Sequence, residues 1–220
     1  MAGERIRGEG TSLCWDCRCT LHLIGPPFCS ICGDPADGEV EHDYTCPWCE
    51  DGHVCFARAR SAARYRGALR TAVHAFKYSN ATSLARDFLP LMTACVRVHY
   101  PKIPFDAVTY VPLYHTRERA RTYNQARLLA RGLASELRVT PVATSLRRTR
   151  PTTSQTDLTA AERRDNVLGA FEAIDRDWLA GRTLLLVDDV MTTGATVNEC
   201  ARVLKTAGVA NVYVVTLARG

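Results

Sequence analysis

One segment of the chain, residues 183–196, reads TLLLVDDVMTTGAT. Its first five residues are almost uniformly apolar, which is typical of a parallel strand buried on both faces. Two adjacent carboxylates, Asp188 and Asp189, follow this run directly, and a turn rich in threonine comes next. Residues 197–207 then carry apolar side chains at helical spacing, and Gly208 ends that pattern. The segment therefore predicts a strand, an acidic strand end and a helix.

The turn before the predicted helix has the features of a phosphate-binding site. Backbone N–H groups of residues 192–196 are expected to point into the turn, with the positive end of the helix dipole behind them. Gly194 lets the backbone approach a ligand closely, and Thr196 with Glu199 matches a capping box. Because carboxylates repel phosphate, the two aspartates are expected to face a cis-diol or a hydrated Mg²⁺. A phosphorylated ribose meets both requirements.

A second strand, loop and helix precede this segment. Residues 106–111 form a β-branched and aromatic run that Pro112 stops, and residues 112–123 are predicted to be a loop with three arginines. An apolar helical face follows at residues 126–137. Further helix and strand patterns cover residues 65–77, 83–98 and 211–217. We therefore expect an α/β fold with a parallel sheet flanked by helices, and ligands at the carboxyl ends of its strands.

Three other interpretations of the acidic strand end compete with this one. A P-loop enzyme needs G-x-x-x-x-G-K-[ST], and none of the three lysines in the chain follows a glycine. The dinucleotide-binding fingerprint G-x-G-x-x-G does not occur either. An acidic surface pair before an ordinary capped helix accounts for the cap, but it does not account for two charges directly after a buried strand.

The first quarter of the chain differs in composition from the rest. Eight of the ten cysteines lie before residue 56. Residues 1–60 carry five arginines against ten acidic residues, whereas residues 61–220 carry 23 basic residues against 13 acidic ones. We expect two domains, a cysteine-rich module over residues 1–60 and an α/β domain over residues 61–220. The larger, basic domain is the one expected to bind anions.

The cysteines of the first domain form three C-x-x-C pairs, which are Cys14 with Cys17, Cys29 with Cys32, and Cys46 with Cys49. Thirteen residues separate the last two pairs, and that is the spacing of a four-cysteine zinc ribbon. In a reducing compartment such pairs bind metal more often than they form disulfides. We therefore expect a structural Zn²⁺ there. A redox C-x-x-C is the alternative, although it would be expected beside a βαβ pattern.

The first pair, Cys14 and Cys17, has no assigned partner in the sequence. It could form a second, incomplete site with one of the nearby metal-binding side chains, or it could replace one of the other pairs. The candidates for the second site are Cys19, His22, His42 and Cys55.

These motifs resemble two known sequence patterns. Residues 185–196 are similar to the phosphoribosyl-pyrophosphate (PRPP) motif of type I phosphoribosyltransferases. The chain also resembles the ComF family of competence-associated proteins, in which paired C-x-x-C knuckles precede a phosphoribosyltransferase domain. The similar segments after the C-x-x-C pairs are residues 77–78, 111–113, 121–126, 163–167 and 169–171, together with Gln155. The chain departs from that family at Thr122-Tyr123, where the family usually has Gly-Phe.

The resemblance implies a type I phosphoribosyltransferase fold behind a zinc ribbon, and a Mg²⁺-dependent transfer from PRPP to an acceptor that the sequence does not name. It places Asp188 and Asp189 on the ribose hydroxyls as catalytic residues, residues 192–196 around the 5′-phosphate, and the loop after Val111 on the pyrophosphate. The full PRPP-binding set comprises Lys77, Pro112, Leu113, Tyr114, His115, Arg119, Arg121, Asn124, Val187, Asp188, Asp189, Val190, Met191, Thr192, Thr193, Gly194, Ala195 and Thr196. Residues 150–159 are predicted to be either a mobile lid or a disordered linker.

The resemblance also implies DNA uptake as the biological context. A second hypothesis is therefore a non-catalytic adaptor of the DNA-uptake machinery that binds single-stranded DNA, through Arg147, Arg148 and Arg150, or only senses PRPP. No run in the sequence approaches the length of a membrane span, and the start of the chain has no apolar signal-peptide core. A cytoplasmic protein is expected.

Overall fold

The computed structural model describes residues 12–36, 38, 44–141, 145–152 and 159–220. The strands in this part of the chain are β1 (Arg58–Arg64), β2 (Ala107–Tyr110), β3 (Thr140–Pro141), β4 (Leu146–Arg148), β5 (Phe171–Ala173), β6 (Thr183–Met191) and β7 (Asn211–Arg219). Five of them form a parallel sheet in the order β1-β7-β6-β2-β3. Strands β4 and β5 form a separate antiparallel pair.

The helices cover both faces of the sheet. They are α1 (Trp15–Cys19), α2 (Pro47–Glu50), α3 (Gly67–Tyr78), α4 (Ala85–His99), α5 (His115–Arg121), α6 (Gln125–Leu137), α7 (Ala160–Val167), α8 (Arg176–Leu179) and α9 (Ala195–Thr206). Strand β6 lies in the middle of the sheet and shows why two layers are needed. Successive side chains of a strand point to opposite faces, and residues 184–187 are all fully buried.

Each face of β6 belongs to a different hydrophobic core. Leu185 and Val187 pack with the apolar sides of α3, α4 and α6. Leu184 and Leu186 pack with α9 and with the buried cysteines of the N-terminal segment. The N-terminal cysteines therefore share a core with the helix that follows the acidic strand end.

Most of the predicted elements are confirmed. The amphipathic pattern of residues 65–77 forms α3 and buries Leu69, Val73 and Phe76, and the patterns at 83–98 and 126–137 form α4 and α6. The predicted loop at residues 112–123 instead contains a short helix, α5. The α/β fold with a parallel sheet flanked by helices and a cysteine cluster near the N-terminus is as expected.

Strand β6 is longer than predicted: it continues past Val187 and ends at Met191. Its neighbour β7 is equally long, and Asp188 pairs in register with Thr216. Asp188 and Asp189 therefore lie within the last part of the strand and their backbones are fixed by the sheet.

The predicted capping box of Thr196 and Glu199 is wrong. Helix α9 begins one residue after Gly194, which is its N-cap with φ of 80° and makes no side-chain cap. Glu199 instead accepts a hydrogen bond from the Gly169 N–H at 2.9 Å and pairs with Arg202. The glycine turn starts the helix earlier than the capping pattern indicated.

The boundary between the two predicted domains falls inside an element of the sheet, since β1 begins at Arg58 and pairs with β7. The division at residue 60 stays a prediction. Two other expectations, a second metal site with His42 and a lid that includes Gln155, concern residues outside the described part of the chain. Within the described residues, none of the helices combines the length and the apolar character that crossing a membrane requires.

Candidate functional site

A cavity of about 990 Å³ opens where β2 and β6 end. Of the residues predicted to bind PRPP, nine line it: Lys77, Leu113, Arg121, Asn124, Asp188, Asp189, Val190, Thr192 and Thr196. These residues come from α3, from the segment after β2 and from the end of β6. The sheet therefore brings together side chains more than a hundred positions apart, at the strand ends where parallel sheets bind ligands.

The two aspartates at the floor of the cavity differ in their surroundings. Lys77 Nζ lies 2.9 Å from Asp189 Oδ1 in an ion pair that is largely buried. Burial lowers the pKa of Lys77, but the charge of Asp189 outweighs it and holds that pKa above its ordinary value. Asp188 accepts a hydrogen bond from the Asp189 N–H at 2.8 Å. Burial, with the charge of Asp189 added, raises the pKa of Asp188 to about 7.

The turn after β6 has the geometry expected of an anion-binding turn. Gly194 has a positive φ that side chains rarely allow, and helix α9 presents its N-terminus there. Thr192 and Thr196 line the main cavity. Thr193 lies on a smaller adjacent cavity, and its Oγ1 accepts a hydrogen bond from the Ala195 N–H at 3.4 Å.

Arginines form one wall of the cavity. Arg121 donates to Gln125 Oε1 at 3.2 Å and to the Tyr78 hydroxyl at 3.1 Å, which holds its guanidinium 4.7 Å from the Tyr78 ring centroid. Arg117 donates to the Thr152 carbonyl at 3.3 Å. Arg148 also lines the cavity, and its burial lowers its pKa. This wall can stabilise negative charge on a bound ligand.

Another wall of the cavity is one side of α3, and apart from Lys77-Tyr78 no sequence motif marked it. Arg70, Thr71, His74 and Tyr78 recur at helical spacing and line the cavity, while the other side of α3 is buried. The His74 and Tyr78 ring centroids lie 4.7 Å apart. In the sequence, this wall appears only as the polar side of an amphipathic helix. An ordinary solvent-exposed helix face has the same pattern, so the pattern does not identify a binding surface.

Several residues of the predicted PRPP-binding set do not reach the main cavity with their side chains. In the described structure, Pro112, Tyr114, His115 and Arg119 do not line it, and Tyr114 and His115 pack ring to ring with centroids 4.1 Å apart. Three more have side chains in the core, so only their backbone groups are available: Val187, Met191 and Ala195.

Asn124 lines the cavity but its side chain is already engaged. Its Oδ1 accepts from the Arg127 N–H at 3.1 Å and caps α6, and its Nδ2 donates to the Val111 carbonyl at 3.1 Å. Asn124 therefore ties the end of β2 to the start of α6. Its predicted contact with PRPP stays a prediction.

Four of the predicted metal ligands form one cluster. The Sγ atoms of Cys29, Cys32, Cys46 and Cys49 all lie within 4.8 Å of one another, and those of Cys32 and Cys46 are 3.6 Å apart. Tetrahedral Zn²⁺ with Zn–S bonds of about 2.3 Å needs sulfur atoms about 3.8 Å apart. The four thiols therefore fit zinc, and the pairing expected from their spacing is confirmed.

The protonation of the cluster also suits a metal site. Burial raises the pKa of Cys32 to about 12 and also holds the pKa of Cys49 far above its usual range. Burial acts on Cys29 in the same direction, but N–H donors, that of Cys46 first, outweigh it and lower its pKa to about 7. The Cys29 thiol is thus ready to bind as a thiolate, whereas Cys32 and Cys49 would release protons on binding an ion.

Cys14 and Cys17 are not part of this cluster. Cys14 precedes the short helix α1, and Cys17 packs against the core formed by α3, α4 and α6. Arg18, which follows Cys17, pairs with Asp87 of α4. Among the described residues they do not belong to any group of three or more ligands, so their predicted role as metal ligands stays a prediction.

The chain is similar to a known domain and to several known proteins. Residues 124–220 match the model of the phosphoribosyl transferase domain. The chain is 32% identical to Competence protein F of Haemophilus influenzae over 91% of this chain and 88% of that one. It is also 31% identical to the DNA utilization protein YhgH of Escherichia coli K12, over 94% of this chain and 96% of that one. A third relative, Competence protein ComFC of Streptococcus pneumoniae, is 25% identical over 97% of this chain and 90% of that one.

Proposed function

The chain belongs to the ComF family of competence proteins, and we propose that it binds Mg²⁺-PRPP and transfers the phosphoribosyl group to a nitrogenous acceptor in the cytoplasm. The observation that carries the proposal is the pair Asp188 and Asp189 on the floor of the cavity, with Lys77 on one side and the turn at residues 192–196 on the other. A ribose with a phosphate at its 5′ end matches this arrangement in both charge and hydrogen bonding.

In the proposed complex the carboxylates accept hydrogen bonds from the two ribose hydroxyls. The 5′-phosphate accepts from N–H groups of residues 192–196 and from the hydroxyls of Thr192 and Thr196, helped by the dipole of α9. Lys77 limits the repulsion between the two aspartates, because it neutralises Asp189. The site thus holds the sugar by its diol and its phosphate at the same time.

Chemistry at the anomeric carbon requires a departing anion to be stabilised. The acceptor nitrogen forms a bond to C1′ while the bond from C1′ to the pyrophosphate oxygen breaks. Arg117, Arg121 and Arg148 are the cations of the cavity wall that can hold the departing pyrophosphate. The Asp188 carboxylate and the pyrophosphate oxygens would be suitable ligands for Mg²⁺, which would further neutralise that charge when bound.

The acceptor is proposed to enter beside α3. The strand end would bind the diol, the glycine turn the 5′-phosphate, and the arginine wall the pyrophosphate. The α3 side of the cavity then remains free for the acceptor. Its residues Arg70, His74 and Tyr78 are exposed to the cavity. They offer a cation and two aromatic rings.

The most direct test of catalysis is a screen for pyrophosphate release from Mg²⁺-PRPP across nucleobases and simple amines. The expected result is release with at least one acceptor, which is lost when Asp188→Asn and Asp189→Asn are combined. Release should be retained in Asp177→Asn, the same kind of change at an exposed residue of α8. Release that is equal in all three proteins would contradict the proposal.

A second candidate is a DNA-handling adaptor that binds PRPP without turning it over. The names of the relatives, which refer to competence and DNA utilization, favour it. The arginines first considered for DNA are engaged within the protein, because Arg147 pairs with Glu172 and Arg150 donates to the Leu168 carbonyl at 2.7 Å. Affinity for single-stranded DNA that falls steeply with salt, with no pyrophosphate release, would favour this candidate.

A further inference from the structure

The four-cysteine cluster and the phosphate turn are in direct contact through Trp48. This residue lies between Cys46 and Cys49, and its ring faces Gly194, the N-cap of α9. A Cβ placed on Gly194 would lie 2.7 Å from Met191 Cε and 3.4 Å from Trp48 Cη2. The tryptophan and the methionine therefore pack against the turn at Gly194, and a Cβ at this position would require the flexible end of Met191 to move.

A second contact joins the cluster to α9 one turn further along. Asn198 Oδ1 accepts a hydrogen bond from the Cys55 N–H at 2.7 Å, and its Nδ2 donates to the His53 carbonyl at 2.9 Å. The Asn198 side chain thus holds the backbone of the segment that follows Cys46 and Cys49. Asn198 also belongs to the first turn of α9, because its N–H donates to the Gly194 carbonyl at 2.9 Å.

A third contact joins the pair Cys29 and Cys32 to the end of β6. Arg219 Nε lies 2.9 Å from Asp34 Oδ1, and its Nη2 lies 3.9 Å from Cys32 Sγ. Arg219 pairs in register with Met191, the last residue of β6, and the Gly220 N–H donates to the Met191 carbonyl at 3.0 Å. Both cysteine pairs are therefore linked to residues that border the phosphate turn.

The four cysteines also share one hydrophobic core with Met191, Ala195 and Val197, which precede, lie within and follow the turn. In such a core a displacement of one side chain must be taken up by its neighbours. A tetrahedral ion would fix the distance between the two cysteine pairs and hence the position of the Trp48 ring. Without it, the two pairs are held together only by packing and by hydrogen bonds.

We propose that Trp48 and Asn198 are positioning residues of the phosphate turn, and that metal occupancy of the four-cysteine cluster sets the affinity of the protein for a ribose 5-phosphate group. The inference rests on the proposed function, because it assigns the turn at residues 192–196 to the 5′-phosphate. It goes beyond it by making the cysteine module part of the ligand site.

The contacts of Trp48 and Asn198 should affect the binding of one ligand group and not of the other. Trp48 and Asn198 contact the turn and α9, whereas two of the three arginines that would bind pyrophosphate, Arg117 and Arg121, belong to α5. Loosening the module should therefore weaken binding of the sugar phosphate and leave binding of pyrophosphate unchanged. General loss of stability would weaken both.

The test measures, by calorimetry on the full chain loaded with zinc, the affinities for ribose 5-phosphate and for magnesium pyrophosphate. Trp48→Ala should weaken the first by about tenfold or more and change the second less than about twofold. Trp48→Phe should recover most of the loss. The matched control is Trp15→Ala, since Trp15 also lies between the cysteines of a C-x-x-C pair but is 69% exposed.

Removing the metal is a second, independent test of the role of the cysteine cluster. Wild-type protein treated with a chelator should lose affinity for ribose 5-phosphate, keep it for magnesium pyrophosphate, and regain the first when zinc is added back. Equal ribose 5-phosphate affinities in Trp48→Ala and wild type would overturn the inference, as would parallel loss of both ligands in that variant. If wild type binds neither ligand, the proposed function itself fails.

Discussion

Lys77 Nζ lies 2.9 Å from Asp189 Oδ1, and this ion pair joins α3 to the end of β6. It fixes the distance between one wall of the cavity and its floor, and it lets a second carboxylate, Asp188, lie next to Asp189. A lysine from α3 therefore makes the acidic pair possible in a largely buried place.

Replacing Lys77 by methionine should destabilise the protein by about 2–3 kcal/mol, because it leaves Asp189 buried without its partner. The folded-state pKa of Lys77 is raised, so the pair contributes fully below the lysine's unfolded pKa of about 10.4 and is lost at higher pH. Urea unfolding at pH 8 measures the change. Lys102→Met, at an exposed lysine, is the control and should unfold like wild type; an equal effect of both substitutions would argue against the ion pair.

The affinity for Mg²⁺-PRPP should rise with pH through about 7 and then level off. Asp188 has its pKa raised to about 7, chiefly by burial, and its ionised form accepts stronger hydrogen bonds from the ribose hydroxyls than its protonated form does. Below that pKa the affinity should fall by up to about tenfold for each pH unit. Calorimetry in a series of buffers measures it. The phosphates of PRPP also titrate, so Asp188→Asn serves as the reference, and an identical profile in that variant would show that Asp188 is not the titrating group.

Thr122→Gly should stabilise the protein by about 1 kcal/mol. Thr122 ends α5 with φ of 66°, a left-handed conformation that costs a β-branched residue more than it costs glycine. The family resemblance expects glycine at this position. Thermal unfolding should show a rise of about 2–4 °C. A lower melting temperature would mean that the hydrogen bond from the Thr122 hydroxyl to the Arg121 carbonyl, at 2.6 Å, matters more than the backbone strain.

Zinc binding should release protons and should depend on four cysteines only. The raised pKa values of Cys32 and Cys49 mean that both thiols are protonated in the metal-free protein, so at pH 7.5 about two or more protons should leave per zinc ion bound. Calorimetry in buffers of different ionisation enthalpy counts them. Cys29→Ser with Cys46→Ser should abolish high-affinity binding. Cys14→Ser with Cys17→Ser should leave both stoichiometry and proton release unchanged, unless that pair takes part in the site.

The parts of the site that the sequence predicted are those that lie close together in the chain. The run from Thr183 to Thr196 contains its own strand, acidic end and glycine turn, and the spacing of Cys29, Cys32, Cys46 and Cys49 is sufficient to pair them. In both cases a local motif is also the functional unit, so neighbours in sequence are neighbours in space.

The parts that the sequence did not predict depend on contacts between distant segments. The capping pattern of Thr196 and Glu199 was misleading because Glu199 is used by Gly169, thirty positions away. The α3 wall and the contact of Trp48 with Gly194 have no local signature, since any exposed helix face or knuckle aromatic looks the same in sequence. Such contacts become visible only once the sheet order is known.

The central claim is that the acidic strand end and the glycine turn bind PRPP, and thermal unfolding with Mg²⁺-PRPP tests it most directly. At one hundred times its dissociation constant the ligand should stabilise wild type by about 2.7 kcal/mol, which is about 5–10 °C for a chain of this size. Asp188→Asn combined with Asp189→Asn should abolish the shift, and Asp177→Asn should retain it. No shift in wild type, or the same shift in the double variant, would contradict the account.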